Sequence, residues 1–174
     1  MKLSEVKIGK TFEVAGIEFI KFSEYGDKTV VVANDCVFNS TFGEKNNFAQ
    51  SHILKRLSDE ILPKLEAAVG AENIFEHEID LTSLDGLKTY GSITGKISIP
   101  TFGFYRNNVS IFDKNKYDGW WWLATPDTTP EHYKDGWCCC VSPSGDIYYN
   151  YYFNDFGVRP FCILKSNISV SCEG

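Results

Sequence analysis

Residues 120–160 read WWWLATPDTTPEHYKDGWCCCVSPSGDIYYNYYFNDFGVRP, and the reading of this stretch decides the fold. Trp120–Leu123 is an apolar run short enough for a buried strand, closed by Ala124-Thr125-Pro126. After a polar loop with Pro130, Trp137–Val141 forms the next strand, turned at Ser142-Pro143-Ser144-Gly145. Asp146–Asn154 follows as a partner strand or a long loop. Gly157 suits a positive φ, and Pro160 marks an edge or the start of a final strand, Phe161–Leu164.

Working toward the N-terminus, Phe12, Val14, Ile17, Phe19 and Phe22 alternate up to Tyr25-Gly26-Asp27, and Val30–Val32 follows, which predicts a β-hairpin. From Asn46 to Ala68 the spacing turns helical, with Ile53, Leu54, Leu57, Ile61 and Leu65 on one stripe. Asn47 or Ser51 supplies a cap, Gly70 a stop, and Pro63 a kink or division. A strand-like piece lies at Lys96–Ile99, and Thr101 caps a short helix running through Asn108. The expectation is a single α+β domain over residues 1–174: an N-terminal β-hairpin, two or three helices and an irregular antiparallel C-terminal sheet. Residues 1–115 are the scaffold and 116–174 carry the ligand face.

Composition narrows the function. Hydrophobic content of 43% and charged content of 23% suit a globular domain with a real core. A net charge of −6 argues against nucleic acid as the main partner. No apolar run reaches the ~20 residues of a membrane span, so membrane insertion is not expected. Met1–Val14 lacks an apolar signal core, which predicts synthesis in the cytoplasm. The six cysteines include the triplet Cys138-Cys139-Cys140 and no C-x-x-C pair, unlike a disulfide framework or zinc site. Cys138 and Cys140 share a strand face and could hold Cu(I), but free thiols and no cofactor are the simpler expectation. No nucleophile elbow, P-loop, zinc helix or dinucleotide fingerprint occurs.

The tyrosines point to binding. In a strand, alternate residues face opposite sides, so Tyr148, Tyr149, Tyr151 and Tyr152 cannot all enter one core face. Such side chains pair large apolar area with a hydroxyl and few rotatable bonds, which suits contact surfaces. Asp146, Asn150, Asn154 and Asp155 add short polar contacts, and Cys138 and Cys139 complete the candidate ligand face. Val141 and Ile147 are the expected inward anchors. The competing reading is an aromatic sheet packed on its neighbours or in a subunit contact. Trp120–Trp122 are read as core, and Arg159 as a buried structural arginine.

Trp121-Trp122-Leu123, Ser144-Gly145 and the closing Gly157-Val158-Arg159-Pro160, with Lys7–Phe12 and Ile17–Ile20 upstream, resemble bacterial and phage domains of unknown function with a "WWL…SG…GVRP" signature. That family in turn resembles C-type-lectin-like proteins, including the variable proteins of diversity-generating retroelements and the formylglycine-generating enzymes. The resemblance implies a lectin-like α+β scaffold with an irregular C-terminal ligand segment, a non-enzymatic role, and an unknown protein or glycan ligand. A phage-encoded chain would be virion-associated. Retroelement diversification turns AAY codons into NNY codons, which never encode Lys, Glu, Gln, Met or Trp, and residues 138–156 contain none of these. The alternatives are a metal/thiol oxidase of the formylglycine-generating type using Cys138 and Cys140, and a phage structural or assembly protein. The Glu-Pro-Asn and Gln-Pro-Asp triplets of calcium-dependent sugar-binding lectins are absent.

Overall fold

A computed structural model describes residues 1–133 and 136–172. The N-terminal alternation forms β1 (Thr11–Val14), β2 (Ile17–Tyr25) and β3 (Lys28–Ala33). A short β4 (Phe38–Ser40) follows. The helical stripe becomes α1 (His52–Arg56) and α2 (Leu62–Val69), joined by one π turn at Leu57–Ile61. The reason for that widened turn is Pro63: it has no N–H to give and its ring crowds the preceding carbonyls, so the helix relaxes rather than breaks. Both expected caps are used. Asn47 accepts from Ala49 N to start a 3-10 turn at Phe48–Gln50, and Ser51 accepts from Leu54 N to start α1.

Next come β5 (Ile74–Phe75), and β6 (His77–Asp80) paired with β7 (Ser92–Gly95). The strand expected at Lys96–Ile99 is displaced to residues 92–95, and Ser98 makes only an isolated bridge to Phe161. Thr101 caps α3 (Phe102–Asn107) as expected, and a second short helix, α4 (Val109–Lys114), adjoins it. The C-terminal third supplies β8 (Trp121–Pro126), β9 (Cys138–Val141), β10 (Ile147–Asn150), β11 (Phe156–Val158) and β12 (Phe161–Lys165).

These strands make two five-stranded sheets, ordered β1-β2-β3-β12-β5 and β10-β9-β8-β11-β4, besides the β6-β7 pair. The last strand is thus inserted between β3 and β5. The chain ends are held together as well, with Val170 N donating to Met1 O. The second sheet is antiparallel except where β11 lies parallel to β8, Gly157 opposite Trp121.

Both sheets bury residues on both faces. Phe19, Val31, Cys162, Trp122, Cys138 and Cys140 face one apolar core, roofed by Ile53, Leu57, Ile61 and Leu65 of the α1–α2 segment. Ile20, Val32, Ile163, Trp121, Cys139 and Val141 face a second, roofed by Tyr105 of α3 and Phe112 of α4. This explains why β8 and β9 read as unbroken apolar runs. Burying Trp121 and Trp122 contributes a gross ~4–6 kcal/mol each.

Arg159 links the sheets. It is buried, its Nε donates to Ala33 O at 2.9 Å, and its guanidinium carbon lies 4.6 Å from the Trp121 ring centroid. Burial pushes its pKa down to about 10, which leaves it charged at neutral pH. Gly157 does not adopt a positive φ. It is required by close approach: a Cβ there would sit 3.1 Å from Cys36 Cβ and 3.2 Å from Trp120 O.

Candidate ligand-binding cleft

β10 is the free edge of the second sheet, paired only to β9 in the register Tyr148 to Cys140 and Tyr149 to Cys139. Because β9 is buried on both sides, its neighbour carries alternate side chains past the rim of each core. Tyr149 emerges on the side of Cys139 and packs against Trp137, ring centroids 5.6 Å apart and planes inclined by 50°. Tyr148 emerges on the other side, edge-on to Trp120. Both tyrosine side chains are about half exposed.

The remaining expected ligand residues separate into different settings. Tyr151 is exposed, Tyr152 is half-buried against the core, and the two rings cluster with exposed Phe153. Asp146 is exposed at the turn and accepts from Ser144 Oγ. Asn150 is half-buried, its Nδ2 donating to Cys140 Sγ. Asn154 is half-buried and Asp155 exposed. Two expectations are corrected. Cys138 and Cys139 are completely buried, because β9 lies between the two cores, so neither is on a ligand face. Ile147 is exposed rather than an inward anchor, since the Val141 opposite it is the last residue that the core covers.

Burial also governs the thiols. All six cysteines are free, and desolvation pushes Cys138 and Cys139 well up and Cys140 up to about 11. Among the described residues, no three His, Cys, Asp or Glu side chains are grouped so as to hold a metal ion.

Beside Tyr149 lies a cleft that the sequence reading did not assemble. Two adjoining hollows, of about 380 and 460 Å³, share Asp127, Tyr133 and Tyr149. The first is completed by Trp137, and the second by Leu84, Asp85, Thr128 and His132. Tyr133 and Trp137 are both exposed. The cleft walls are pinned from beneath. Asn46 is buried, donates through Nδ2 to Thr128 O and Trp137 O, and accepts from the Tyr90 hydroxyl. Gly136 permits this approach: a Cβ there would fall 2.4 Å from Asn46 Nδ2.

Asp127 Oδ1 accepts from Thr128 N and Trp137 N, which fixes the carboxylate in the wall of the hollow that Tyr133, Trp137 and Tyr149 also line. Asp85 accepts from Ser83 Oγ, Thr128 Oγ1 and His132 Nδ1. The Ser83 and Thr128 hydroxyls, and then His132, hold its pKa down at about 2, so it is ionised throughout the physiological range. The signal for these residues lay in tertiary proximity: Asp85 and His132 are 47 positions apart in the chain. Of the cleft residues, Tyr149 was legible as a ligand residue, whereas Trp137 was read only as the start of the strand that became β9.

The domain-of-unknown-function model DUF6273 matches residues 26–166. The chain belongs to this family. The matched span begins in the β2–β3 turn and ends just past β12, so the second five-stranded sheet, strands β3, β5 and β12 of the first, and the whole cleft lie within it, while β1 and β2 precede it. No curated protein and no solved structure matches the chain. No helix among the described residues is long and apolar enough to cross a membrane.

Proposed function

We propose that this DUF6273 chain is a non-enzymatic recognition domain that binds a protein or glycan ligand through the exposed aromatics around β10, on a C-type-lectin-like scaffold of bacterial or phage origin. The observation that carries this reading is the convergence of exposed Tyr133, Trp137 and Tyr149 on one cleft beside strands β8 and β9, every residue of which is buried, with exposed Tyr148, Tyr151 and Phe153 elsewhere around β10. Exposed aromatics in one region mark contact surfaces, and a rigid backing lowers the entropy cost of using them. The scaffold reading is supported by the return of the final strand into the N-terminal sheet, which leaves the irregular aromatic segment on a separate sheet. Retroelement diversification is supported for residues 146–155, most of whose side chains reach solvent. It is not supported for 138–141, whose side chains fill the cores. The oxidase alternative gains nothing from thiols that burial keeps protonated.

A second reading rests on β10 being a free edge, whose unpaired backbone groups can join another chain in a subunit contact. One experiment tests both. The purified chain is applied to immobilised glycan and peptide arrays and, in parallel, to sedimentation equilibrium, alongside Trp137→Ala/Tyr149→Ala and a Tyr25→Ala control. Tyr25 is exposed on the separate N-terminal sheet. Retention lost at least ~10-fold in the double variant and kept in the control is the expected outcome. A dimer abolished by the double variant, with no array retention, assigns the face to self-assembly.

A further inference from the structure

We infer that the cleft between Trp137, Tyr149 and Tyr133 receives the cationic side chain of a peptide or protein ligand, an arginine or lysine. This rests on the recognition reading above and specifies the chemistry of its ligand. Three observations carry it. The Trp137 and Tyr149 rings stand inclined to one another rather than stacked flat, and with Tyr133 they present π faces or edges to one space. Negative π faces attract a cation placed within ~6 Å of a ring centroid, and tryptophan does so best.

Among the described lining residues, His132 is the one basic group, and it is hydrogen-bonded to Asp85. Asp127 lies in both hollows and Asp85 in the second, while no Lys or Arg is among the described lining residues. Asp127 is also preorganised: two backbone N–H groups hold Oδ1, and Oδ2 accepts no hydrogen bond among the described residues. A carboxylate fixed beside aromatic rings, with an oxygen to spare, is complementary to a guanidinium or ammonium group. The polar groups of the second hollow are largely committed to each other, Thr128 and His132 both to Asp85. The net charge of −6 favours approach of a basic ligand over a longer range.

The test uses one array carrying Arg- and Lys-containing peptides, the same peptides with Gln at those positions, and neutral glycans. The chain is compared with Asp127→Asn, which keeps an oxygen for the two backbone donors, with Asp85→Asn as a second neutralising variant, and with Trp137→Ala. Thermal unfolding of each variant identifies any that fails to fold, and only folded variants are compared. The expected result is retention of the basic peptides over their Gln counterparts, weakened about fivefold by Asp127→Asn. Retention also falls as salt is raised from about 50 to 500 mM and is lost in Trp137→Ala. Retention of glycans or Gln peptides that depends on Trp137 but not on Asp127 overturns the cationic ligand and leaves the recognition face standing. Retention of nothing that depends on Trp137 or Tyr149 overturns both.

Discussion

His77 shows how one side chain's setting becomes a property of the whole protein. Its Nε2 lies 2.7 Å from Ser98 Oγ, its ring packs 4.9 Å from that of Phe161, and its Nδ1 is buried without a hydrogen bond. Burial pushes its pKa down to about 4, with the nearby Phe75 carbonyl opposing only in part. An unfolded histidine takes up its proton near 6.5, so the ring is neutral in both states above that pH and imposes no penalty. As pH falls from about 6.5 to about 4 the unfolded chain binds a proton that the folded chain refuses, and stability drops by at most about 1.4 kcal/mol per pH unit. Urea unfolding at pH 7, 6 and 5 should show this slope, and His77→Phe should flatten it. Equal slopes in the two proteins would refute the assignment. Asp85, with its pKa depressed to about 2, loses its contribution only below about pH 4, outside that window. None of this was legible in the sequence, where His77 between Glu76 and Glu78 looks like a solvated surface histidine. Its burial depends on Ser98 and Phe161, which pair with each other far along the chain.

Adjacent strands β9 and β10 divide structure from recognition. Cys138 to Val141 are all buried, whereas Ile147 to Tyr149 are exposed directly across the ladder. The consequence is an asymmetry in tolerance. Tyr148→Ser/Tyr149→Ser on the free edge should cost about 1 kcal/mol or less in denaturant unfolding, the worth of a few cross-strand ring contacts. Cys139→Ser, changing a single atom, should cost about 1–3 kcal/mol by placing a hydroxyl among apolar neighbours. A larger loss from the tyrosine pair than from the cysteine would mean that β10 is part of the core. Element by element, the alternation of β1–β3, the caps at Ser51 and Thr101 and the apolar stripe of α1–α2 were readable, because each depends on residues within a few positions. The π turn, α4, β4 and β11 were not. β4 and β11 are three residues each; β4 pairs only with β11, more than a hundred positions away, and β11 sits between β4 and β8. The alternation Cys138–Val141 and Ile147–Asn150 was visible, but which strand would be covered on both faces was not.

At the scale of the molecule, the last strand closes the first sheet. β12 pairs with β3 on one side and β5 on the other, and places Cys162 and Leu164 in one core and Ile163 in the second. Truncation after Pro160 should therefore abolish cooperative thermal unfolding, not merely lower its midpoint. A truncated chain that still melts in one sharp transition would show the sheet to be stable without the strand that joins β3 to β5. The sequence by itself determined the α+β class, the positions of most strands and the central helical segment, and the surplus of tyrosine over what one core face can absorb. Those properties follow from local periodicity and side-chain chemistry. Only the tertiary structure decided that the cysteine triplet is buried, that Gly157 serves close approach, and that Asp85, Asp127, Tyr133, Trp137 and Tyr149 surround one cleft. Burial and convergence are set by which surfaces the folded chain brings together, and no short window of sequence contains that information.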